Sequence, residues 1–209
     1  MSSNDVDFVN AIQSNEGWLR ILASFSRFVE PKRDRILLDI GCGPGAFVDI
    51  VRQNFGTTAI GVDINPAMLM YSKELYSDSH FVAANAYRLP FTDDVFDYIT
   101  AANVLYLLDG YEQVLREVHR TIKPGGIFAM LNPSPNMSIE AATALADKQG
   151  LTGPGRDHLI EWGRVAEERV RWSLDEIQAM LEVNHLRLID SRERVGPGLT
   201  LYIQAKKYS

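Results

Sequence analysis

The chain of 209 residues has a single cysteine, Cys42. One thiol closes no internal disulfide, and it excludes chemistry built on several thiols, such as an iron–sulfur radical site or a multi-thiol metalloid site. Long apolar runs are missing as well. Nothing approaches the ~20 residues needed to span a bilayer, and the opening residues Met1 to Asp7 are polar and acidic, unlike a secretory leader. Basic stripes are missing too. Lys and Arg number 21 against 27 Asp and Glu, for a net charge of −6, and no cluster offers a footprint for a phosphate backbone. No His, Cys and Asp set has metal-ligand spacing, and neither a Gly-x-Ser-x-Gly elbow nor a Walker loop occurs. The expectation is a cytoplasmic globular protein with no membrane, nucleic-acid or metal partner. Its length suits one domain with a good core, spanning residues 1–209.

What the chain does have is Leu37-Leu38-Asp39-Ile40-Gly41-Cys42-Gly43-Pro44-Gly45. The run 35–40 has the length and branched-residue content of a buried strand. Three glycines then make a sharp turn and remove side chains where a ligand must lie against the backbone. The segment 45–54 reads as a helix whose N-terminus faces the same crevice. Strand, glycine turn and helix together make a nucleotide-type pocket at the carboxyl edge of a parallel sheet.

Two ligands compete for that pocket. Gly41, Gly43 and Ala46 satisfy the dinucleotide fingerprint G-x-G-x-x-G/A, and Asp63 lies at about the right distance downstream. Asp39 argues the other way. A carboxylate beside the turn suits a ligand bearing a cationic amine and repels a pyrophosphate. The pattern acidic-x-Gly-x-Gly-x-Gly from Asp39 to Gly45 resembles motif I of the class I S-adenosylmethionine-dependent methyltransferases, and the stretch from Ile36 to Leu131 is similar to the small-molecule group called methyltransferase type 11.

The rest of the chain agrees with this organisation. Apolar spacing over 6–30 predicts one or two amphipathic helices, with Gly17 as a break and Pro31 ending the second. Strands are expected at 35–40, 58–62, 80–84, 96–101 and 127–131, and helices at 46–54, 66–75 and 111–121. The run Lys123-Pro124-Gly125-Gly126 reads as a turn from helix to strand. Such alternation argues a doubly wound parallel sheet. A helix over 174–183 follows, with Ser173 and Glu176 as a capping box. Strands at 186–194 and 199–206, joined by Gly196-Pro197-Gly198, form an antiparallel hairpin. The whole is an α/β fold that resembles the Rossmann-like, seven-stranded methyltransferase sheet with an antiparallel C-terminal strand. The segment 132–171 reads as an inserted helical cap over the carboxyl edge, with helices at 138–149 and 157–169 and a glycine-rich break between them.

The resemblance implies S-adenosylmethionine as methyl donor, S-adenosylhomocysteine as product, and a set of contacts. Gly41, Cys42, Gly43 and Gly45 form the turn against the methionine part. Asp39 attracts its ammonium through water, unless it only caps the turn. Asp63 accepts the ribose hydroxyls and also suits the N-cap of the next helix. Ile64 packs on the adenine, and Met68 lines either pocket or core. The stretch Ala83 to Phe91 matches the third signature, with Asn85 where the family usually has Asp and the Ala86 N–H beside it. Asn103 meets the methionine portion. Tyr106 points to substrate or to core. His119 belongs to a structural run before the fifth strand.

The expected activity is methyl transfer to an O, N or C nucleophile of a small, apolar or aromatic molecule. A protein or peptide methyltransferase and a non-catalytic cofactor-binding protein are the alternatives. A base is needed only for a protonated acceptor. Tyr106 and His158 are the leading candidates and Tyr111 a weaker one; His158 equally fits an exposed helix face. Trp162 lies one turn beyond His158, and Trp18 is placed to help close the site.

Overall fold

The computed structural model describes residues 15–208. Along the chain run α1 (Glu16–Val29), β1 (Ile36–Ile40), α2 (Ala46–Phe55), β2 (Thr58–Asp63), α3 (Pro66–Leu75), β3 (His80–Ala83), β4 (Phe96–Ala102), a 3-10 turn (Leu105–Leu107), α4 (Tyr111–Thr121), β5 (Ile122–Pro133), α5 (Ile139–Lys148), α6 (Gly153–Glu167), α7 (Leu174–Val183), β6 (Leu186–Arg194) and β7 (Thr200–Lys207). The strands form one seven-stranded sheet in the order β3-β2-β1-β4-β5-β7-β6. All neighbours are parallel except β7, which runs antiparallel between β5 and β6. The fold is therefore the expected Rossmann-like methyltransferase sheet.

Both faces of the sheet are covered, which is why β1 reads as a nearly continuous apolar run. Leu37 joins a cluster with Phe25, Phe47 and Leu69 from α1, α2 and α3. Leu38 and Ile40 point the other way, to Val114, Leu115, Ile177 and Leu181 from α4 and α7. Each such side chain stabilises the fold by roughly 1.5–3 kcal/mol. α1 is fixed by its aromatic face: the Phe25 ring lies 5.3 Å from Phe47 and 5.2 Å from Tyr202, and the Tyr202 hydroxyl donates to the Ile21 carbonyl at 3.1 Å. The Ser173–Glu176 capping box at α7 is present.

Three local expectations change. Gly17 does not break a helix; it sits in the first turn of α1, where Asn15 accepts its N–H. The expected apolar positions Phe8, Val9 and Ile12 lie outside the described residues. β5 begins at Ile122, not after Gly126, because Ile122 already pairs with Phe96; Gly125 (φ +77) kinks the strand, and the register shifts there. Finally, α6 begins at Gly153 rather than Asp157. Pro154 lacks an N–H that the first turn does not use, so the Gly-Pro-Gly stretch starts the helix instead of interrupting it.

The strand order places the switch point between β1 and β4. The chain runs outward from β1 through β2 to β3, then crosses back to β4 on the other side of β1. Their carboxyl ends splay the following loops apart, and the crevice between them is where ligands of such sheets lie.

Candidate active site

The floor of the crevice is the turn after β1. Gly41 (φ +68), Gly43 (φ +52) and Gly45 (φ +89) all adopt left-handed backbone that a side chain disfavours. At Gly41 space matters as well: a Cβ there lies 2.5 Å from Val104 Cγ2, so the loop after β4 closes directly on the glycine. The turn is tied to the end of β2, since the N–H groups of Gly41 and Cys42 both donate to the Val62 carbonyl. The Gly43 N–H donates to Asp63 Oδ2 at 3.0 Å, and the other carboxylate oxygen accepts the Asn65 N–H at 2.9 Å.

A cleft of about 550 Å³ opens above this floor. Gly41, Gly43, Asp63, Ile64 and Met68 line one end; Asn103, Tyr106, His158 and Trp162 line the other. A side pocket of about 140 Å³ continues past Asp63 and Ile64 to Asn85 and Ala86. Ile64 is 68% exposed, an apolar surface open to a flat ligand. Met68 serves as wall and core at once, being buried while it lines the cleft. Asn85 turns its Oδ1 back to accept the Tyr87 N–H at 2.9 Å.

Three residues assigned to the cofactor by sequence sit behind the wall. Asp39 is buried beneath the turn, where the Thr100 hydroxyl donates to its Oδ1 at 2.7 Å. Burial pushes its carboxyl up to about 7, against the opposing pull of that hydrogen bond and with a further push from the nearby Asp63 charge. Cys42 packs its sulfur against Gly61 of β2, and burial raises its thiol well above the ordinary range. Gly45 makes room for the Phe81 ring, which a Cβ there meets at 2.5 Å. A strand alternates its faces, so neighbours in sequence need not share a pocket.

The far end is aromatic. Trp18 of α1 meets Trp162 edge-on at 5.3 Å and His158 edge-on at 5.7 Å, while His158 stacks on Trp162 at 6.4 Å. His158 is thus half-buried between indoles and is not on an exposed helix face. Desolvation lowers its pKa to about 4, so the ring is neutral at neutral pH. Tyr106 is buried, and desolvation pushes its hydroxyl up to about 12. A phenol so hard to ionise is a poor base at neutral pH. Tyr111 lies elsewhere, edge-on to Trp172 at 4.8 Å. Asn103 holds left-handed backbone (φ +62) with its N–H donating to the Leu131 carbonyl at 2.8 Å, strain of the kind stored at functional sites.

Several wall residues escape a reading of the sequence. Val104, Leu107 and Leu108 follow β4 into the cleft, and Val165 and Glu161 reach it from α6. The apolar run after Asn103 was the available signal for the first three. Among the described residues, no group of three or more His, Cys, Asp or Glu stands together as a metal site. Among them also, no helix is long and apolar enough to cross a membrane.

Comparison with known proteins agrees with this geometry. The family model described as a methyltransferase domain matches residues 38–130. A demethylmenaquinone methyltransferase of Lysinibacillus sphaericus is 34% identical over 102 residues, covering 46% of this chain and 44% of the relative. The chain spans about half the length of the curated relatives it matches. Among solved structures, the PH0226 protein of Pyrococcus horikoshii superposes with a TM-score of 0.67 at 22% identity, covering 94% of this chain and 93% of that one. Geranyl diphosphate C-methyltransferase of Streptomyces coelicolor, solved with geranyl diphosphate and S-adenosyl-L-homocysteine, gives a TM-score of 0.65 at 14% identity, covering 93% and 86%. Residues 38–130 thus match a methyltransferase domain, and the glycine turn and the strand order of the chain agree with that match.

Proposed function

We propose that this chain transfers the methyl group of S-adenosylmethionine to a small, largely apolar acceptor held between the sheet edge and α6. The observation that carries the reading is the single cleft with two unlike ends, a glycine-and-carboxylate floor at one and an indole–imidazole wall at the other.

The residues present fit the donor. Asp63 stands at the end of β2 with lone pairs left for a cis-diol, and the exposed Ile64 offers a face to a purine beside Asn85 and Ala86. Asp39, one strand residue below the turn, supplies negative charge without entering the cleft. When bound, S-adenosylmethionine supplies a methyl group already activated on a sulfonium. The chain's part is then to align acceptor and donor and to exclude water. Trp18, Trp162 and Val165 do the excluding, because α1 and α6 meet over the cleft. A folded protein substrate needs an open groove, and this covered end favours a small molecule. The name of the curated relatives puts a menaquinone precursor among the acceptors to try. A cytoplasmic setting suits the one buried, unpaired Cys42.

Equilibrium dialysis tests the donor assignment. Purified protein is expected to retain S-adenosylmethionine and S-adenosylhomocysteine and to ignore NADH. Retention of NADH alone overturns the reading. A turnover assay on a metabolite panel then separates an enzyme from a protein that only binds the donor.

A further inference from the structure

Buried polar atoms in folded proteins almost always have partners, and each exception asks for a reason. Among the described residues, Trp18 Nε1, Asn103 Oδ1, His158 Nδ1, His158 Nε2 and Trp162 Nε1 have none. All four residues line the same cleft. Both tryptophans are at least nine-tenths buried, at 4% and 3% exposure, so water does not readily satisfy their N–H groups. Leaving such a group unmet costs roughly 1–3 kcal/mol. Trp162 Nε1 and Asn103 stand close to the Tyr106 hydroxyl without completing a hydrogen bond to it. The aromatic end therefore presents two donors and two acceptor-capable groups to whatever fills it.

His158 has a second property. A chamber of about 650 Å³ lies on the outer side of the indole pair, and Trp18, His158 and Trp162 belong to both its wall and the wall of the cleft. The outer chamber is rimmed by the exposed Glu16, Arg20 and Gln149 and by Arg194, whereas Glu161, paired with Arg164, is the charged group beside His158 on its own helix. The imidazole thus borders both spaces.

We propose that His158 is the catalytic base, taking the proton of a hydroxyl-bearing aromatic acceptor whose remaining polar edge is held by the Trp18 and Trp162 N–H groups. This assignment rests on the methyl-transfer reading above. A lone pair of the acceptor oxygen forms the new bond to the methyl carbon. The carbon–sulfur bond breaks, and its electron pair stays on sulfur as a neutral thioether. The O–H proton passes to a ring nitrogen of His158, leaving a neutral aryl ether and an imidazolium. The oxygen becomes strongly acidic only as the new bond forms, so a weak base suffices. Burial keeps the ring in its neutral, proton-accepting form, and the same desolvation favours release of the proton from the imidazolium once the methyl group has moved.

The test uses 2-naphthol and its methyl ether as probes of the full chain saturated with S-adenosylhomocysteine. Indole fluorescence and calorimetry follow binding. The wild type is expected to bind the naphthol about tenfold more tightly than the ether, one hydrogen bond's worth. His158→Gln, whose amide oxygen still accepts, keeps most of that preference. His158→Phe binds the two probes within about twofold of each other, with its melting curve confirming the fold. Equal binding by the wild type, a preference that survives in His158→Phe, or no binding of either probe overturns the assignment. Normal S-adenosylhomocysteine affinity alongside any of these leaves the methyl-transfer reading standing. Failure to bind S-adenosylhomocysteine removes both.

Discussion

Asp63 and Gly43 are 20 residues apart and joined by one hydrogen bond, the Gly43 N–H donating to Asp63 Oδ2 at 3.0 Å. With the Asn65 N–H on Oδ1, that bond fixes both oxygens of the carboxylate before any ligand arrives. The arrangement preorganises an acceptor pair for a cis-diol, and each oxygen keeps a lone pair for it. Asp63→Asn replaces one acceptor with an amino group that faces either a peptide N–H or a sugar hydroxyl. The expected result is cofactor affinity lower by about ten- to a hundredfold, in line with losing charge-assisted hydrogen bonds. Asp63→Ala also releases both N–H groups and costs the fold about 1–2 kcal/mol. Calorimetric titration with S-adenosylhomocysteine and a urea midpoint measure the two effects. Undiminished affinity in Asp63→Asn rules out the ribose role.

The family usually carries Asp where this chain has Asn85. The amide oxygen is drawn into a turn by the Tyr87 N–H, which leaves the NH₂ group as the residue's other polar end. An Asp at this position can hold the turn with one oxygen and offer the second to the adenine amine. Asn85→Asp is therefore expected to raise affinity for S-adenosylhomocysteine about three- to tenfold. The gain should appear with adenosine alone as ligand, since nothing else in the site changes. Unchanged or weaker binding counts against an adenine contact here.

Two glycines separate strain from space. Gly41 and Gly150 have nearly the same backbone, φ +68 and φ +63. A Cβ at Gly150 meets nothing within 4 Å, but one at Gly41 meets Val104 at 2.5 Å. Gly150→Ala should cost only the left-handed penalty, about 1–2 kcal/mol. Gly41→Ala adds overpacking of about 1–3 kcal/mol and pushes Val104 off the turn. Only Gly41→Ala is expected to lose cofactor affinity as well. Chemical denaturation of the pair reads the difference, and equal destabilisation removes the claim that Val104 seats on the glycine.

These contrasts show what the sequence makes legible. The glycine turn, the strand–helix alternation and the hairpin at Gly196–Gly198 are local patterns, and each holds in three dimensions. Asp63, Ile64, Asn103 and Tyr106 line the cleft, and that placement is legible because each sits at the carboxyl end of a recognisable strand or just beyond it. Asp39 and Cys42 lie behind its wall, which the sequence does not disclose. Their position beside the turn is plain, but which side of the pleat they face depends on Thr100 and Gly61 from neighbouring strands. The Trp18–His158–Trp162 cluster was harder still. It joins α1 to α6, and nothing in either segment announces its partner.

Asp39 and His158 oppose each other as pH changes. Unfolded, the Asp39 carboxyl loses its proton near 3.8; folded, it holds the proton until about 7. Across that window the native state binds more protons, so this residue makes stability fall as pH rises. His158 does the reverse. Unfolded it charges below 6.5, whereas folded it stays neutral down to about 4, so its contribution is full above 6.5 and is lost as pH falls. Each effect is at most a few kcal/mol, and the two offset over much of the same range. Asp39→Asn keeps an acceptor for the Thr100 hydroxyl and removes the first slope. Its urea midpoint is expected to exceed that of the wild type at pH 8, to approach it near pH 4, and to climb with pH in between. His158→Phe should show the opposite trend, declining from pH 5 to pH 8. Binding adds a further sign. A nearby ammonium favours the ionised Asp39, so wild-type affinity for S-adenosylhomocysteine, a zwitterion that retains that ammonium, should strengthen as pH rises through about 7. Asp39→Asn should bind more weakly and lose that dependence. An affinity that tracks pH identically in both proteins shows that the buried carboxylate does not sense the ligand's ammonium.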